Sequence, residues 1–491
     1  MADAIVIGAG PNGLAAAIRL AEAGRSVLVL EAADAPGGAV RTQELTLPGF
    51  HHDTFSSVYP AAAASPVWAR MPLALEWVHP EACYAHPLPG GDVRFLYRDL
   101  DATAASVGGR WAAFAQPFID HFDAVRATML SGFPPLAGPV RLLAGAGPLK
   151  LLEFARMLPG SAVGLGKRLF EDSGSRAWLY GAALHGDTPP GGAGSAIAAF
   201  YLNLLGHAVG WPSPKGGAQR ITDALVAYLR SLGGEIRTGA RVTRVLSAGG
   251  RVTGVVADEE YSARTVVADV MPHHLARMAD LPGWYDALLR RYRLGASTVK
   301  IDWALDAPIP WENPAVTGAG TVHVAGAEDT FLHSVAQAHD GPADKPFLLL
   351  GQQSVADPTR APAGKHTAWA YTHGPQRAPW TDNIVERIEA QVERFAPGFR
   401  DRILARHLLL PHDLEARNPN LIGGDVGGGS YRLNQVVFRP LPKLNPYKTP
   451  LGGLYIGSAA AFPGGAVHGV PGDAAARSAL REIAICSALE S

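Results

Sequence analysis

The chain opens with a short apolar run, a glycine-rich turn, an alanine-rich segment and a second apolar run that ends at Glu31. This order predicts a strand, a tight turn, a helix and a second, parallel strand. In such a unit the glycines let the backbone approach a pyrophosphate at the helix N-terminus, and the acid after the second strand binds a ribose diol. The sequence therefore predicts a dinucleotide site, with the candidate residues Gly8, Gly10, Pro11, Asn12, Gly13 and Glu31.

The composition excludes several classes of protein. With 491 residues the chain exceeds one ordinary core, so we expect about two or three lobes. The 43 Lys and Arg residues balance 44 Asp and Glu residues, which gives no electrostatic basis for nucleic acid as a partner. The two cysteines, Cys83 and Cys486, are far apart and form no CxxC pair. This argues against a disulfide framework, a structural zinc site and dithiol redox chemistry.

Two further expectations concern location and metals. The first predicted strand begins at Ala4, which leaves no room for a cleaved signal peptide, and we expect a cytoplasmic protein. The apolar run 196–205 is too short to cross a bilayer and contains Asn203. No metal site is expected, because the neighbours in the pairs His51–His52 and His273–His274 would point to opposite faces of an extended strand.

A second glycine pair, Gly37 and Gly38, follows Glu31 and is not needed for a nicotinamide fold. With its flanking residues, this pair resembles the amine oxidase superfamily of FAD enzymes, and in particular its phytoene desaturase-like branch. The resemblance implies tightly but noncovalently bound FAD. In that superfamily an arginine commonly follows the glycines, whereas this chain has Ala39 and then Arg41 and Thr42. Arg41 is therefore either a replacement for the missing guanidinium or a solvated surface charge.

The resemblance also assigns roles to residues later in the chain. It implies that the backbone of Val242 meets the adenine, and that a glycine loop and a helix N-terminus meet the flavin ring. His468 in that loop is either the base that takes the substrate proton or a histidine bonded to backbone. Carotenoid desaturases usually have Thr-His before Pro-Gly, and the Ala461-Phe462 found here argues against carotenoid activity. The residues implied at the ring are Gly457, Ser458, Gly469 and Val470.

These elements predict an α/β protein in which a Rossmann-type FAD-binding domain is assembled from residues 1–100, 211–272 and 435–491. Apolar residues at helical spacing, broken by prolines, predict a helical insertion over 101–210. Strand-like runs without a second glycine unit predict a substrate domain of mostly antiparallel sheet over 273–434. We expect the insertion to cover an apolar cavity against that sheet.

Part of the insertion is amphipathic. Its apolar and basic residues alternate in a way that suits either a membrane or lipid surface or an ordinary core-facing helix. The residues concerned are Leu142, Leu143, Leu149, Leu151, Leu152 and Phe154, interleaved with Arg141, Lys150 and Arg156.

Three function classes stay open at this point. The first is a dehydrogenase or desaturase that removes a hydride and a proton from adjacent carbons of a small apolar substrate. The second is a flavin amine oxidase, and the third is a redox-neutral isomerase or a flavoprotein without turnover. The electron acceptor, whether dioxygen, quinone or another compound, is not determined by the sequence, and neither is the oligomeric state.

Overall fold

The computed structural model describes residues 2–381 and 383–490, with side chains described as far as residue 485. Cys486 therefore lies outside the described side chains. At the centre of the first domain is a five-stranded parallel sheet made of segments from the whole length of the chain. Its strands are, in spatial order, Leu454–Ile456, Thr265–Ala268, Ala4–Ile7, Val27–Leu30 and Glu235–Arg237.

The predicted strand–turn–helix–strand unit is present at the predicted place. The strand Ala4–Ile7 leads through the turn to the helix Pro11–Glu22, and Glu31 follows the strand Val27–Leu30. Gly8 has φ 96°, a conformation that other residues rarely adopt. A Cβ on Gly13 would lie 2.0 Å from the carbonyl oxygen of Gly8, so only glycine lets the helix start this close to its strand.

Two later helices, Gln219–Ser231 and Val470–Glu490, pack on the helix Pro11–Glu22. A small antiparallel sheet lies beside the parallel one and contains a hairpin turn at Gly249-Gly250. Its strands are Arg244–Ala248, Arg251–Val256 and Glu260–Ser262, and the helices Pro272–Met278 and Gly283–Arg290 follow. His273 and His274 therefore lie on a helix, which corrects the extended strand expected for them.

The second domain is built on a seven-stranded sheet in which all neighbours but one pair are antiparallel. Its strands are, in order, Ile403–Leu409, Ser297–Leu305, His366–Gly374, Leu348–Gly351, Ala319–Val324, Ala82–Pro87 and Val93–Leu96. The last two strands fall within residues 1–100, which the sequence assigned to the nucleotide domain. They pair with this sheet instead, because Ala82–Pro87 forms a parallel ladder with Ala319–Val324 and Val93–Leu96 forms an antiparallel one with Ala82–Pro87.

The helices Glu328–Gln337, Asn383–Glu393 and Pro411–Arg417 belong to the same domain. Two-residue strand pairs join Thr42–Gln43 to His52–Asp53 and Trp77–Val78 to Ser213–Pro214. Short helices complete the chain at Pro60–Ala63, Trp68–Arg70, Pro314–Gly318, Gln353–Val355, Pro358–Arg360, Arg400–Arg402, Ile422–Gly424 and Leu433–Val436.

A buried charge cluster ties the two domains together. Lys300 Nζ lies 2.5 Å from Asp302 Oδ1, and Arg360 Nη2 lies 2.8 Å from Asp53 Oδ2. His52 Nδ1 lies 3.6 Å from Asp302 Oδ1, but burial lowers the pKa of His52 to about 3, so this histidine is neutral. Burial raises the pKa of Asp302 to about 6. Each charge in the cluster has a partner, as buried charges require.

The insertion consists of the helices Leu100–Val107, Arg110–Asp120, Phe122–Met129, Ala137–Ala146, Pro148–Met157, Ala162–Leu169, Ser173–Ala183 and Ser195–Ala208. It packs directly on the sheet through rings: Tyr84 contacts Trp178 and His323, with ring centroids 5.7 and 4.3 Å apart. His185 Nε2 lies 3.1 Å from His323 Nε2. These rings pack part of the interface between the insertion and the sheet. The apolar cavity expected between them stays a prediction.

Within the described residues, none of the helices combines the length and the apolar character that a membrane span needs. The same part of the chain also brings no three histidine, cysteine or acidic side chains into an arrangement suited to a metal ion.

Gly472 offers a direct test of the backbone packing in the nucleotide domain. A Cβ there would lie 1.8 Å from the carbonyl oxygen of Asn12, so the helices Val470–Glu490 and Pro11–Glu22 would have to separate. We expect Gly472→Ala to lower the free energy of unfolding by at least about 2 kcal/mol, as overpacking does. Urea denaturation measures this, with Gly283→Ala as the matched control because a Cβ at Gly283 meets open space. Equal stability of the two variants would contradict the packing described.

Candidate functional site

A cleft of about 1230 Å³, a volume that includes space open to solvent, runs across the carboxyl ends of the parallel strands. Such an edge is where open α/β sheets bind ligands. One end lies between the second strand and the small antiparallel sheet, and we call it the nucleotide end. The other lies against residues 458–467, and we call it the loop end. Eight predicted residues line the cleft: Gly8, Gly10, Pro11, Asn12, Glu31, Gly38, Val242 and Ser458.

Glu31 is held in place by backbone. The N–H of Ala9 donates to Glu31 Oε2 at 2.7 Å, and the N–H of Ala33 donates to Oε1 at 2.8 Å. Only 9% of the residue is exposed, and its carboxylate lies at the nucleotide end together with Val242. Because each carboxylate oxygen has a second lone pair, the fixed group can still accept from a ribose diol.

Asp269 lies between the turn and the cleft, and the sequence did not reveal it as a site residue. The N–H of Gly13 donates to Asp269 Oδ2 at 2.9 Å. Burial raises the pKa of Asp269 to about 7, with a further upward contribution from Glu31, against the Gly13 bond, which lowers it. A carboxyl group at this pKa is partly protonated at neutral pH. The signal that was overlooked is its position directly after a parallel strand, Thr265–Ala268.

Two asparagines from the second domain complete the wall of the cleft. Asn420 Nδ2 donates to the carbonyl oxygen of Asp269, and the N–H of Met271 donates to Asn420 Oδ1, both at 3.0 Å. Asn418 lines the cleft opposite Gly38. The segment 418–420 carries only a turn signal in the sequence, so its contact with the nucleotide domain was not predictable.

The loop end is formed by backbone in an unusual conformation. Ala466 and Val467 have φ of 103° and 57°, and each such residue stores about 1–3 kcal/mol of strain. The surroundings hold them there: Trp68 Nε1 donates to the carbonyl oxygen of Val467 at 3.0 Å, and the N–H of Gly465 donates to the Tyr431 hydroxyl at 2.9 Å. Strain fixed in this way is typical of a functional site.

A buried guanidinium lies behind this loop. Arg439 is 0% exposed, donates through Nη2 to the Tyr292 hydroxyl at 2.8 Å, and lies 4.5 Å from the ring centroid of Tyr431. Within the described part of the chain, no carboxylate lies within 4.0 Å of it, and Nη1 makes no hydrogen bond. Burial raises the pKa of Asp425, against its backbone N–H bonds and the charge of Arg439, which lower it. Arg439 therefore places a buried positive charge behind the loop end.

Five predicted residues lie close to the cleft without lining it. Gly13 and Gly37 support the turn, and Gly457 packs on the helix Val470–Glu490. Arg41 donates to the carbonyl oxygen of Ala35. Thr42 donates to Asp53 Oδ1 at 2.7 Å and accepts from the N–H of Gln219 at 3.1 Å, so it joins chain segments.

His468, Gly469 and Val470 also lie behind the cleft wall. His468 is 3% exposed, and its Nδ1 accepts the N–H of Val470 at 3.2 Å, while its carbonyl oxygen accepts from Ser65 Oγ at 2.6 Å. Burial lowers the pKa of His468 to about 4. A Cβ on Gly469 would lie 2.4 Å from the indole of Trp68. This geometry favours the histidine bonded to backbone over the catalytic base.

The cleft fits FAD. A Cβ on Gly38 would lie 3.1 Å from the Cα of Gly10, so two glycine turns meet with only backbone between them. The absence of side chains leaves room for a pyrophosphate at the start of the helix Pro11–Glu22, where the positive end of the helix dipole favours anions. Glu31 and Val242 would hold the ribose and adenine, and Ser458 with residues 465–467 would hold the flavin ring.

The family model for flavin containing amine oxidoreductases matches residues 12–480. The chain belongs to this family. The family match confirms the predicted FAD cofactor and shows that the chain is an FAD-dependent oxidoreductase.

Three known proteins illustrate the range of the family. The mouse pyridine nucleotide-disulfide oxidoreductase domain-containing protein 2 is 28% identical over 98% of this chain and 94% of its own length. The neurosporene-forming phytoene desaturase of Rhodobacter capsulatus is 26% identical over 96% of this chain and 92% of its own. A putrescine oxidase solved with putrescine is 18% identical with a TM-score of 0.62, covering 98% of this chain and 99% of its own. This last similarity confirms the predicted fold class.

We expect Glu31→Ala to weaken FAD binding. Hydrogen bonds to a charged group contribute about 1.5–3 kcal/mol each. Losing the carboxylate should therefore raise the Kd for FAD about tenfold or more for each bond to the ribose. Titration of the FAD-free flavoprotein with FAD, followed by flavin fluorescence, measures this. Arg41→Ala is the control, because Arg41 does not line the cleft. An unchanged Kd in Glu31→Ala would remove Glu31 from the ribose site.

Asp269 should make the stability of the FAD-free protein depend on pH. Its pKa rises from 3.8 to about 7 on folding, so the stability gained from its proton is fully present below about pH 4 and is lost as the pH rises through about 7. Between pH 5 and pH 7, Asp269→Asn should gain stability relative to wild type by about 1.4 kcal/mol per pH unit. Urea denaturation at each pH tests this, with the exposed Asp401→Asn as control. Parallel profiles of wild type and Asp269→Asn would refute the role of Asp269.

Proposed function

We propose that this flavoenzyme is a dehydrogenase or desaturase of an apolar small molecule. A hydride leaves one carbon and a proton leaves the adjacent carbon, so that a carbon–carbon double bond forms. FAD, when bound, supplies the acceptor for the hydride and its two electrons. The observation that carries the proposal is the character of the loop end, which is apolar and backed by the buried charge of Arg439.

The side chains at the loop end give a substrate few polar partners. Leu421, Val426, Ala459, Ala466 and Val467 line it, and backbone supplies much of the rest. The carboxylates of the lining, Glu31 and Asp269, lie toward the nucleotide end and the turn. An apolar substrate suits such a surface, because binding removes its surface from water without leaving a polar group unpaired.

The same end disfavours an amine. An alkylamine is an ammonium ion at neutral pH, and proteins bind such ions with carboxylates or with the open faces of aromatic rings. The ring of Tyr431 is already occupied by the guanidinium of Arg439, whose charge would repel an ammonium ion. The similarity to a putrescine oxidase keeps an amine as the second candidate.

Arg439 has a role in this proposal. A fixed positive charge beside the ring site stabilises charge that develops there when two electrons arrive. Because the guanidinium is buried and held by Tyr292 and by the carbonyl oxygen of Gly428, it does not need to reorient during turnover. Proton loss is assigned to water or to the substrate itself, since His468 lies behind the cleft wall.

Anaerobic mixing tests the proposal. The FAD-loaded protein is mixed with a panel of partly saturated hydrocarbons, cyclic ketones and alkylamines while the flavin absorbance is followed. We expect bleaching by a hydrocarbon or ketone, with a product that has lost two hydrogen atoms on mass analysis. Bleaching by amines alone would establish the amine oxidase instead. Conversion of a substrate without net bleaching would establish the redox-neutral isomerase.

Arg439 variants provide a readout apart from turnover. Arg439→Met removes the charge and should lower the reduction potential of bound FAD. Arg439→Lys keeps the charge, so its reduction potential should stay close to that of the wild type. Spectroelectrochemical titration measures both. Identical potentials in the two variants, with FAD still bound, would show that the buried charge does not act on the flavin.

A further inference from the structure

The insertion carries an apolar surface that no described residue of the chain covers. It is formed by the helices Ala137–Ala146 and Pro148–Met157 with the flanking leucines, and we call it the leucine hairpin. Large apolar side chains normally avoid such exposure when they cluster. The exposed fractions are 68% for Leu136, 65% for Val140, 45% for Leu143, 79% for Leu149 and 47% for Leu152.

The leucine hairpin already has an inner face that packs on the protein. Leu142, Phe154 and Met157 are buried, with exposures of 0–3%. The exposed residues Leu136, Val140 and Leu143 follow one another at helical spacing on the other side. A core-facing helix accounts for the inner face and leaves the outer one unexplained. The two helices thus have two apolar faces, one packed on the protein and one exposed to solvent.

Positive charge surrounds this surface. Between residues 133 and 160, Arg141, Lys150 and Arg156 stand against Glu153, a net charge of 3 − 1 = +2. Beside the leucine hairpin is a groove lined by five arginines and two aspartates, and Glu22 pairs with two of these arginines, which leaves a net charge of 5 − 3 = +2. We call it the basic groove, and its charged residues are Arg19, Arg70, Arg126, Arg141, Arg477, Asp123 and Asp473.

We propose that the leucine hairpin docks on an anionic phospholipid bilayer. The exposed leucines enter the boundary of the acyl chains, while Arg141 and the basic groove meet the headgroup phosphates. Charge complementarity selects this partner over a second copy of the chain. A two-fold interface would place the leucine hairpins face to face and bring two basic grooves close together, which is unfavourable.

The position of the hairpin agrees with this orientation. Phe133, just before it, lies 5.3 Å from the ring of Phe462 in the loop next to the cleft and 6.2 Å from Phe438, which is 47% exposed. An apolar compound dissolved in the bilayer would meet this row of rings before the cleft. That consequence rests on the proposed function, whereas the docking does not.

Vesicle sedimentation tests the docking. FAD-loaded protein, without substrate, is spun with sucrose-filled vesicles of phosphatidylcholine alone or with about one third phosphatidylglycerol. We expect binding to the anionic vesicles that weakens as salt is raised, and much less binding to the neutral ones. Because no substrate is present, failure here leaves the proposed function untouched, and failure of the substrate panel leaves the docking untouched.

Variants separate the apolar and charged contributions. Leu143→Gln and Leu149→Gln should each weaken binding to anionic vesicles about tenfold, since each removes one inserted side chain. Arg141→Gln should weaken it about fivefold. Leu404→Gln and Leu288→Gln are the matched controls, because these leucines are also exposed, at 48% and 37%, but lie outside the leucine hairpin.

Three results would overturn the proposal. The first is wild-type protein that stays in the supernatant with anionic vesicles, and the second is an equal loss of binding in the control variants. The third is a lipid-free dimer, detected by light scattering, that Leu143→Gln and Leu149→Gln convert to monomer. That last result would make the leucine hairpin an interface between copies of the chain. Unchanged FAD content and melting temperature would confirm that each variant is folded.

Discussion

The structure depends on two contacts in which backbone packs directly on backbone, with no side chain between. At Gly13 and Gly472 an added Cβ would lie within 2.0 Å of a carbonyl oxygen, closer than any side chain can pack. The first contact sets the helix on its strand, and the second sets the last helix on the first. Because residues 12 and 472 are separated by nearly the whole chain, the FAD domain closes only when both chain ends come together. The cleft lies where these two ends of the chain meet, between the turn 8–12 and the loop 458–467.

Charge is distributed unevenly along the cleft. Glu31 and Asp269 place acidic groups at the nucleotide end and at the turn, where each accepts a backbone N–H and where Glu31 is predicted to bind a ribose diol. Arg439 places a permanent positive charge behind the loop end. A ligand with hydroxyl groups at one end and a ring that accepts electrons at the other is complementary to this arrangement. The asymmetry thus gives a physical reason for both the orientation of FAD and the chemistry proposed for its ring.

The sequence predicted site residues best where a backbone motif carries the role. The turn at Gly8 and Gly10, the acid Glu31 and the backbone of Val242 all line the cleft, because strand, turn and helix fix their positions locally. Arg41 and His468 were candidates by resemblance to the family, each with an alternative role, and the structure places both outside the cleft lining. The orientation of each side chain is set by its hydrogen-bond partner in the folded chain. That partner is the carbonyl oxygen of Ala35 for Arg41 and the N–H of Val470 for His468.

What the sequence by itself determined is the nucleotide unit and the α/β class, because glycine positions and the strand and helix periods are local properties of the chain. The choice of FAD as the cofactor came from the resemblance to a family of FAD enzymes. The tertiary structure alone decided that strands 82–87 and 93–96 join the second sheet, since their pairing depends on the strand 319–324, which is distant in the chain. It also decided that Asp269 and Arg439 flank the site, and that the leucine hairpin keeps an apolar face exposed. Burial is settled by packing between distant segments, and a periodic pattern does not reveal which of two apolar faces will find a partner.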